Sequence, residues 1–271
     1  MNLKNKTALV LGSIKGIGKG IGIALAEQGA NVALIYYDWE ESLDELRKDF
    51  SKFKNRCLIL KTNLLKTDSI YSMVSKVNDH FGGLDILINN IERGGWPVVH
   101  GPYVESQWDL EFATTLRAKR WVFEAAIPYL KASKNGIVIN ISSIAGIIGR
   151  SGPASYIFNE GYSSANRGIS ILTETWARIG APKVRVNEIM IGIFETRHGE
   201  KTRGWGLLTK NQKKSIIDHT LLGRTGKIED ITRAVLFIIH DAPFMTGSVI
   251  KIDGGYTLGG EKVFPMPDGV V

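Results

Sequence analysis

The segment Leu11-Gly12-Ser13-Ile14-Lys15-Gly16-Ile17-Gly18 constrains the fold of this chain more than any other. It follows the apolar run Thr7-Ala8-Leu9-Val10 and opens a helical pattern of apolar residues at Ile17, Ile21, Ala24 and Leu25. A strand that turns through glycines into a helix is shaped to cradle a phosphate. The glycines permit a tight turn and a close backbone approach, and the helix start offers free N–H groups and a partial positive charge. Three glycines at this spacing also arise by chance, so their weight comes from their place at the head of an alternating strand–helix chain.

That alternation continues to the end of the sequence. Strands are expected at residues 7–11, 31–36, 56–61, 84–89, 136–141, 184–189 and 248–252. Helices are expected near 18–28, 39–53, 67–81, 105–131, 162–179 and 229–240. Ile86-Leu87-Ile88 and Ile137-Val138-Ile139 are uninterrupted apolar runs, as strands buried on both faces should be. The pattern predicts an α/β fold, a doubly wound parallel sheet of about seven strands with helices on both faces. In such sheets ligands bind beyond the carboxyl ends of the strands, where Asn89-Asn90, Ser142-Ser143 and the segment after Ile189 all fall.

Bulk properties exclude several classes. With 271 residues, 44% of them hydrophobic, the chain is long enough to bury one full core. The net charge of +7 is spread out, and its densest cluster, Lys210, Lys213 and Lys214, lacks interleaved aromatics, so no nucleic-acid partner is expected. No apolar run reaches the length of a membrane span; residues 137–148 are interrupted by Asn140, Ser142 and Ser143. The first strand begins too early to leave room for a signal peptide. The single cysteine, Cys57, rules out an intramolecular disulfide and reads as a buried small hydrophobe. A cytoplasmic protein without a metal site is expected.

Taken in order, the segments resemble the short-chain dehydrogenase/reductase family from Lys6 to about Tyr256. The glycine turn is similar to the family's TGxxxGxG, with Leu11 in place of threonine, and Asn89-Asn90-Ile91-Glu92 stands where the family has NNAG. Ile139-Asn140-Ile141-Ser142-Ser143 resembles the strand that delivers the catalytic serine, and Tyr162 to Gly168 lies on the YxxxK helix. Thr246 to Gly255 resembles the final strand and its DGG turn. The resemblance implies a single Rossmann-like domain over residues 1–258, with a substrate-covering lobe at 193–220 and a tail at 259–271. It also implies a small-molecule substrate and a homodimer or homotetramer paired through two long helices. Trp121, Phe123, Ile171, Leu172 and Trp176 are candidates for that contact or for the core.

In the family, a serine polarises the substrate carbonyl, a tyrosine moves the proton, a lysine lowers the tyrosine pKa, and an asparagine anchors a relay water. A free phenol is a poor base at neutral pH, so a nearby cation is a physical need of that scheme. Ser143 is the candidate serine. Tyr156 has the family's separation from it, whereas Tyr162 has the helix register, with about six extra residues in 149–161; Tyr162 is preferred, with Tyr156 left open. The lysine position holds Asn166 after Tyr162, or Glu160 after Tyr156, and Arg167 points about 100° away from it on the helix. Thr115 stands at the relay asparagine. Two relay members are therefore absent together.

The resemblance assigns cofactor contacts to Gly12, Ser13, Lys15, Gly16, Ile17, Gly18, Tyr36, Asn63, Leu64, Asn89, Asn90, Ile91 and Gly192. Tyr36 lacks the carboxylate that selects NAD, and Lys15 is placed to meet a 2′-phosphate, so NADP(H) is expected over NAD(H), with Asp38 keeping the latter open. The implied function is a divergent NADP(H)-dependent oxidoreductase passing hydride to a carbonyl or an activated double bond. The alternative is a non-catalytic dinucleotide-binding or partner-binding protein on the same fold.

Overall fold

The computed structural model describes residues 2–92, 104–194, 196, 205–261, 263–267 and 269. Seven strands, β1 (Thr7–Leu11), β2 (Asn31–Tyr36), β3 (Cys57–Lys61), β4 (Ile86–Asn89), β5 (Gly136–Ser143), β6 (Val184–Ile191) and β7 (Val249–Ile252), form one sheet. Their order is β3-β2-β1-β4-β5-β6-β7, and every neighbouring pair is parallel. The helices between them are α1 (Gly16–Glu27), α2 (Leu43–Asp49), α3 (Thr67–Phe81), α4 (Glu105–Glu111), α5 (Ala118–Ala132), α6 (Ala145–Ile148), α7 (Glu160–Gly180), α8 (Lys210–His219) and α9 (Ile228–His240). Strand order reverses direction between β1 and β4, which opens the crevice where a doubly wound sheet takes its ligand.

The pleat sorts each strand's residues to two helix layers. Ala8, Val10, Leu34, Ile88, Ile139 and Ile189 face a core with α1 and α9, through Ile21, Leu25, Ile231 and Val235. Leu9, Leu11, Ile35, Leu87 and Val138 face the opposite core with α3, α5 and α7. There Phe123 and Trp176 stack with centroids 4.4 Å apart, so two of the three candidate interface aromatics belong to the core, whereas Trp121 is partly buried against it and Ile171 stands 60% exposed. A third cluster covers the carboxyl edge and joins Phe158, Tyr162, Met190, Trp205, Leu208, Ile216 and Tyr256.

The structure departs from the expected elements in several places, the short helix α6 among them. The helix expected at 39–53 is broken into a 3₁₀ turn (Glu40–Ser42), α2 and a second 3₁₀ segment (Ser51–Arg56), after Trp39 takes a left-handed φ of 64°. The long helix expected at 105–131 contains a π turn at Phe112–Arg117. In the expected lobe, α8 forms where no helix was read; Thr209 and Gln212 close a capping box at its start. Residues 195 and 197–204 of that lobe lie outside the described residues. Cys57 is half-buried rather than buried, and burial pushes its thiol up to about 11, which keeps it unreactive at neutral pH. Among the described residues, no helix is long and apolar enough to cross a membrane, and no His, Cys, Asp and Glu cluster could hold a metal.

Candidate active site

The glycine turn joins β1 to α1 against the loop that follows β4. Gly12 has a φ of +61°, and a Cβ placed on it would fall 2.2 Å from Asn90 O. A Cβ on Gly18 would fall 2.2 Å from Gly12 O. Only glycine permits this closure at either position. Asn90 Nδ2 donates to Gly12 O (3.2 Å), and Ser13 is fixed to β2 through Ile35 O. Helix α1 then starts with no side-chain cap and no acidic residue in its first turn. Its N–H groups and dipole fit a pyrophosphate, so the residues present suit a dinucleotide.

Around that turn the other expected cofactor residues take different positions. Lys15 Nζ lies 3.0 Å from the ring centroid of Trp39. Ile17 and Tyr36 are partly buried against the α1 core, and Leu64 and Ile91 against the opposite one. Asn63 donates to Tyr37 Oη (3.2 Å) and accepts from Leu65 N (3.0 Å). Asn89 is fully buried, and its Nδ2 donates to Asn140 Oδ1 (2.8 Å), so this side chain ties β4 to β5. Gly192 N donates to Ile252 O (2.8 Å), and a Cβ on Gly192 would meet Asp253 Cα at 2.6 Å. Gly16 has a φ of +59°, and a Cβ placed on it would fall 3.5 Å from Thr196 O.

The second half of the site is built where β5 meets α7. Asn159 caps α7 by accepting from Tyr162 N (2.8 Å). Asn166, one turn on, accepts from Ser143 N (3.0 Å) and donates to Tyr162 O (3.0 Å). Its amide is therefore a clamp between the strand end and the helix. Ser143 Oγ accepts from Ala145 N (3.2 Å), which leaves its own O–H to donate elsewhere. Tyr162 is 5% exposed and its Oη donates to Glu92 Oε2 (2.8 Å). Tyr156, in a 3₁₀ turn (Gly152–Tyr156), is 40% exposed. The structure thus joins Ser143, Tyr162 and Asn166 through the Asn166 amide, and none of these bonds involves Tyr156. Thr115 is fully buried within the π turn, a form that recurs at functional sites.

Two buried charges lie beneath this corner that the motifs did not mark. Lys119, fully buried on α5, donates from Nζ to Ile141 O (2.7 Å). Burial lowers its pKa to about 8, opposed by the fields of Glu92 and Glu188. Glu188, on β6, accepts from Ser142, Ser170 (3.1 Å) and Thr173 (3.3 Å). Burial holds its carboxyl above the usual range, and the hydrogen bonds offset part of that rise. Thr173 Oγ1 also accepts from Asn140 Nδ2 (2.8 Å), so a polar chain runs from Asn89 through Asn140 and Thr173 to Glu188. The pair Asn187-Glu188 in the middle of an expected buried strand was the readable sign of it.

The fold and the glycine turn define an α/β protein of the dinucleotide-binding class. The sequence profile described as "Enoyl-(Acyl carrier protein) reductase" matches residues 12–257. The chain is 30% identical over 262 residues to the 3-oxoacyl-[acyl-carrier-protein] reductase FabG of Thermotoga maritima, covering 95% of this chain and 100% of that one. Among solved structures it is similar to a putative short-chain alcohol dehydrogenase from Sinorhizobium meliloti, with TM-score 0.83, 28% identity and coverage of 95% and 98%. The fold is shared as well with an NADPH-dependent 3-quinuclidinone reductase from Rhodotorula rubra, with TM-score 0.82, 24% identity and coverage of 95% and 93%. The chain belongs to the short-chain dehydrogenase/reductase family, a family of oxidoreductases.

Proposed function

We propose that the chain is an NADP(H)-dependent reductase that passes hydride to a carbonyl or an activated double bond. The observation that carries this reading is the junction of Tyr162, Ser143 and Asn166 at the carboxyl end of the sheet, across from the glycine turn. The nicotinamide, when bound, supplies the hydride. Tyr162 Oη holds the proton for the substrate oxygen, and the O–H of Ser143 is free to donate to the same oxygen. Lys15 within the glycine turn, and the absence of a carboxylate at Tyr36, support a preference for the 2′-phosphate. The name of the Thermotoga relative makes a 3-oxoacyl thioester the first substrate to offer. In this reading the protein is a homodimer or homotetramer, paired through α5 and the face of α7 that exposes Ile171.

One observation favours a second reading. The amide of Asn166 is committed on both sides, so no cation stands at the family's lysine position. A dinucleotide-binding protein without turnover fits that fact. Fluorescence titration with NADPH and NADH, followed by a reduction assay with a 3-oxoacyl thioester, separates the two. Binding with turnover supports the reductase, and binding without turnover supports the second reading. Failure to bind either nucleotide overturns both as far as they name a dinucleotide.

A further inference from the structure

The scheme for Tyr162 needs a cation, and the helix that carries the tyrosine has none in the family's position. The structure puts one beneath the same corner from another helix. Lys119 projects from α5, one turn beyond Thr115, and its Nζ reaches Ile141 O, two residues before Ser143. Among the described residues that is its only hydrogen bond, although an ammonium carries three donors. On the other side, Tyr162 Oη is bonded to the carboxylate of Glu92, from the loop after β4. Four elements bring ionisable groups to bear on this corner: Glu92 from that loop, Lys119 from α5, Glu188 from β6 and Glu111 from α4. Glu188 is held by three hydroxyls, and Glu111 is taken by Asn159 Nδ2.

We propose that Lys119 is the positioning cation of this site: it supplies from α5 the positive charge that the family draws from the tyrosine's own helix, and acts on Tyr162 through Glu92. Glu92 alone would oppose ionisation of the phenol bonded to it. The ammonium balances that carboxylate, so that the phenolate left when Tyr162 gives its proton to substrate is not an uncompensated second negative charge beside Glu92. The fold carries this charge at a cost, because burial outweighs the pull of both carboxylates on Lys119. A lysine kept in that state where an apolar side chain would fit is what a functional charge looks like, and a solvated lysine is not. In the same sense, the glutamate that stands in the family's NNAG segment at position 92 and the buried lysine at 119 complement one another.

This inference rests on the oxidoreductase reading for its purpose but not for its test. Tyr162 is titrated by ultraviolet difference absorbance of tyrosinate, as the full chain minus its Tyr162→Phe variant, so that one phenol is read among the eight tyrosines. For this role Tyr162 must ionise below about pH 8 in the parent, while Lys119 still carries its charge. In Lys119→Met that ionisation moves up by about one pH unit or more, and Lys119→Arg restores it toward the parent value. Should Lys119→Met fold poorly, Lys119→Met with Glu188→Gln removes the buried carboxylate left beside it and must still show the upward shift. A Tyr162 titration that is the same with and without Lys119 overturns the proposal, whether or not any substrate is reduced. If Tyr162 shifts while no ketone is turned over, the assignment of Lys119 stands and the reductase reading fails. The pH profile of kcat adds a second readout where turnover exists: its basic limb follows Tyr162 in Lys119→Met, which a merely structural role would not produce.

Discussion

The two halves of the site were built under different rules. On the β1–β4 side the glycine turn, the unprotected start of α1 and the Asn90 clamp are made of backbone and small side chains, and their geometry leaves no slack. On the β5–β6 side the backbone frame is equally well fixed, by Asn166 and Asn159, but the charges have been rearranged: a lysine and a glutamate are buried, and a carboxylate sits on the tyrosine. Backbone sterics tolerate no substitution at a cradle. Electrostatics can be satisfied from several directions, provided the sum of the fields at the reacting phenol is kept. That contrast predicts steric variants to be severe on the first side and charge variants to be tunable on the second.

The most severe test is Gly12→Val. A Cβ there requires a left-handed φ and a 2.2 Å approach to Asn90 O. We expect a loss of at least about 3 kcal/mol in stability and no measurable nucleotide binding, read by denaturant unfolding and by fluorescence titration. A folded Gly12→Val protein with near-parent affinity would break the claim that this side has no slack. Next in size is Tyr162→Phe. With turnover established, kcat falls about 10²- to 10⁴-fold, while stability moves by no more than about 1 kcal/mol, since the change removes one hydroxyl and its bond to Glu92. Tyr156→Phe, at a 40% exposed residue, costs far less. Equal losses from the two variants would undo the assignment of the proton to Tyr162.

A third variant measures the cost of the buried charge. Lys119 has its folded pKa lowered from 10.5 to about 8. Below pH 8 both folded and unfolded chains hold the proton, and the cost of burying the ammonium is constant, at most about 3 kcal/mol. Between about 8 and 10.5 the unfolded chain binds more protons than the folded one, so this group's contribution makes stability rise with pH. Lys119→Met lacks that term. It should be at least as stable as the parent at pH 7, by about 1–3 kcal/mol, and the gap should narrow as pH rises toward 10. Denaturant melts of both proteins at the two ends of that range decide it. A variant less stable at pH 7, with a gap that does not change with pH, would mean that Lys119 is a net structural tie.

What could be read from the sequence follows the same division. β1 and β2 were expected at the bounds they have, because a parallel strand covered on both faces must be an apolar run. The cradle was legible for a related reason: glycine spacing encodes backbone shape directly. The helix at α8 was missed because its exposed, lysine-rich face hides the few apolar positions, of which only Ile216 is buried. Lys119 was hidden for the opposite reason. On an amphipathic helix a lysine next to Arg120 and near Arg117 reads as solvent-facing, and only the tertiary packing of α5 against β5 shows that it points inward. Asn166 is assigned to the family's lysine position from its register alone, whereas its clamp on Ser143 and Tyr162 needs both elements in place.

The smallest expected effect concerns the rim of the cradle, where the two rules meet. Lys15 belongs to the glycine turn by position but acts by charge, and in this structure its Nζ rests on the Trp39 ring. Removing it should therefore leave the cradle's shape intact and change only what the cradle prefers. Lys15→Ala is expected to weaken NADPH binding by about tenfold, the weight of one exposed charge-assisted contact to a phosphate, with NADH affinity nearly unchanged. Trp39→Ala separates the charge from its platform. If the ring holds the ammonium in place for the phosphate, this variant also loses NADPH preference. If the ring instead competes with the phosphate for Lys15, NADPH affinity increases. A parallel loss of both nucleotides in Lys15→Ala would show that the lysine shapes the turn, and that the steric rule extends to the rim.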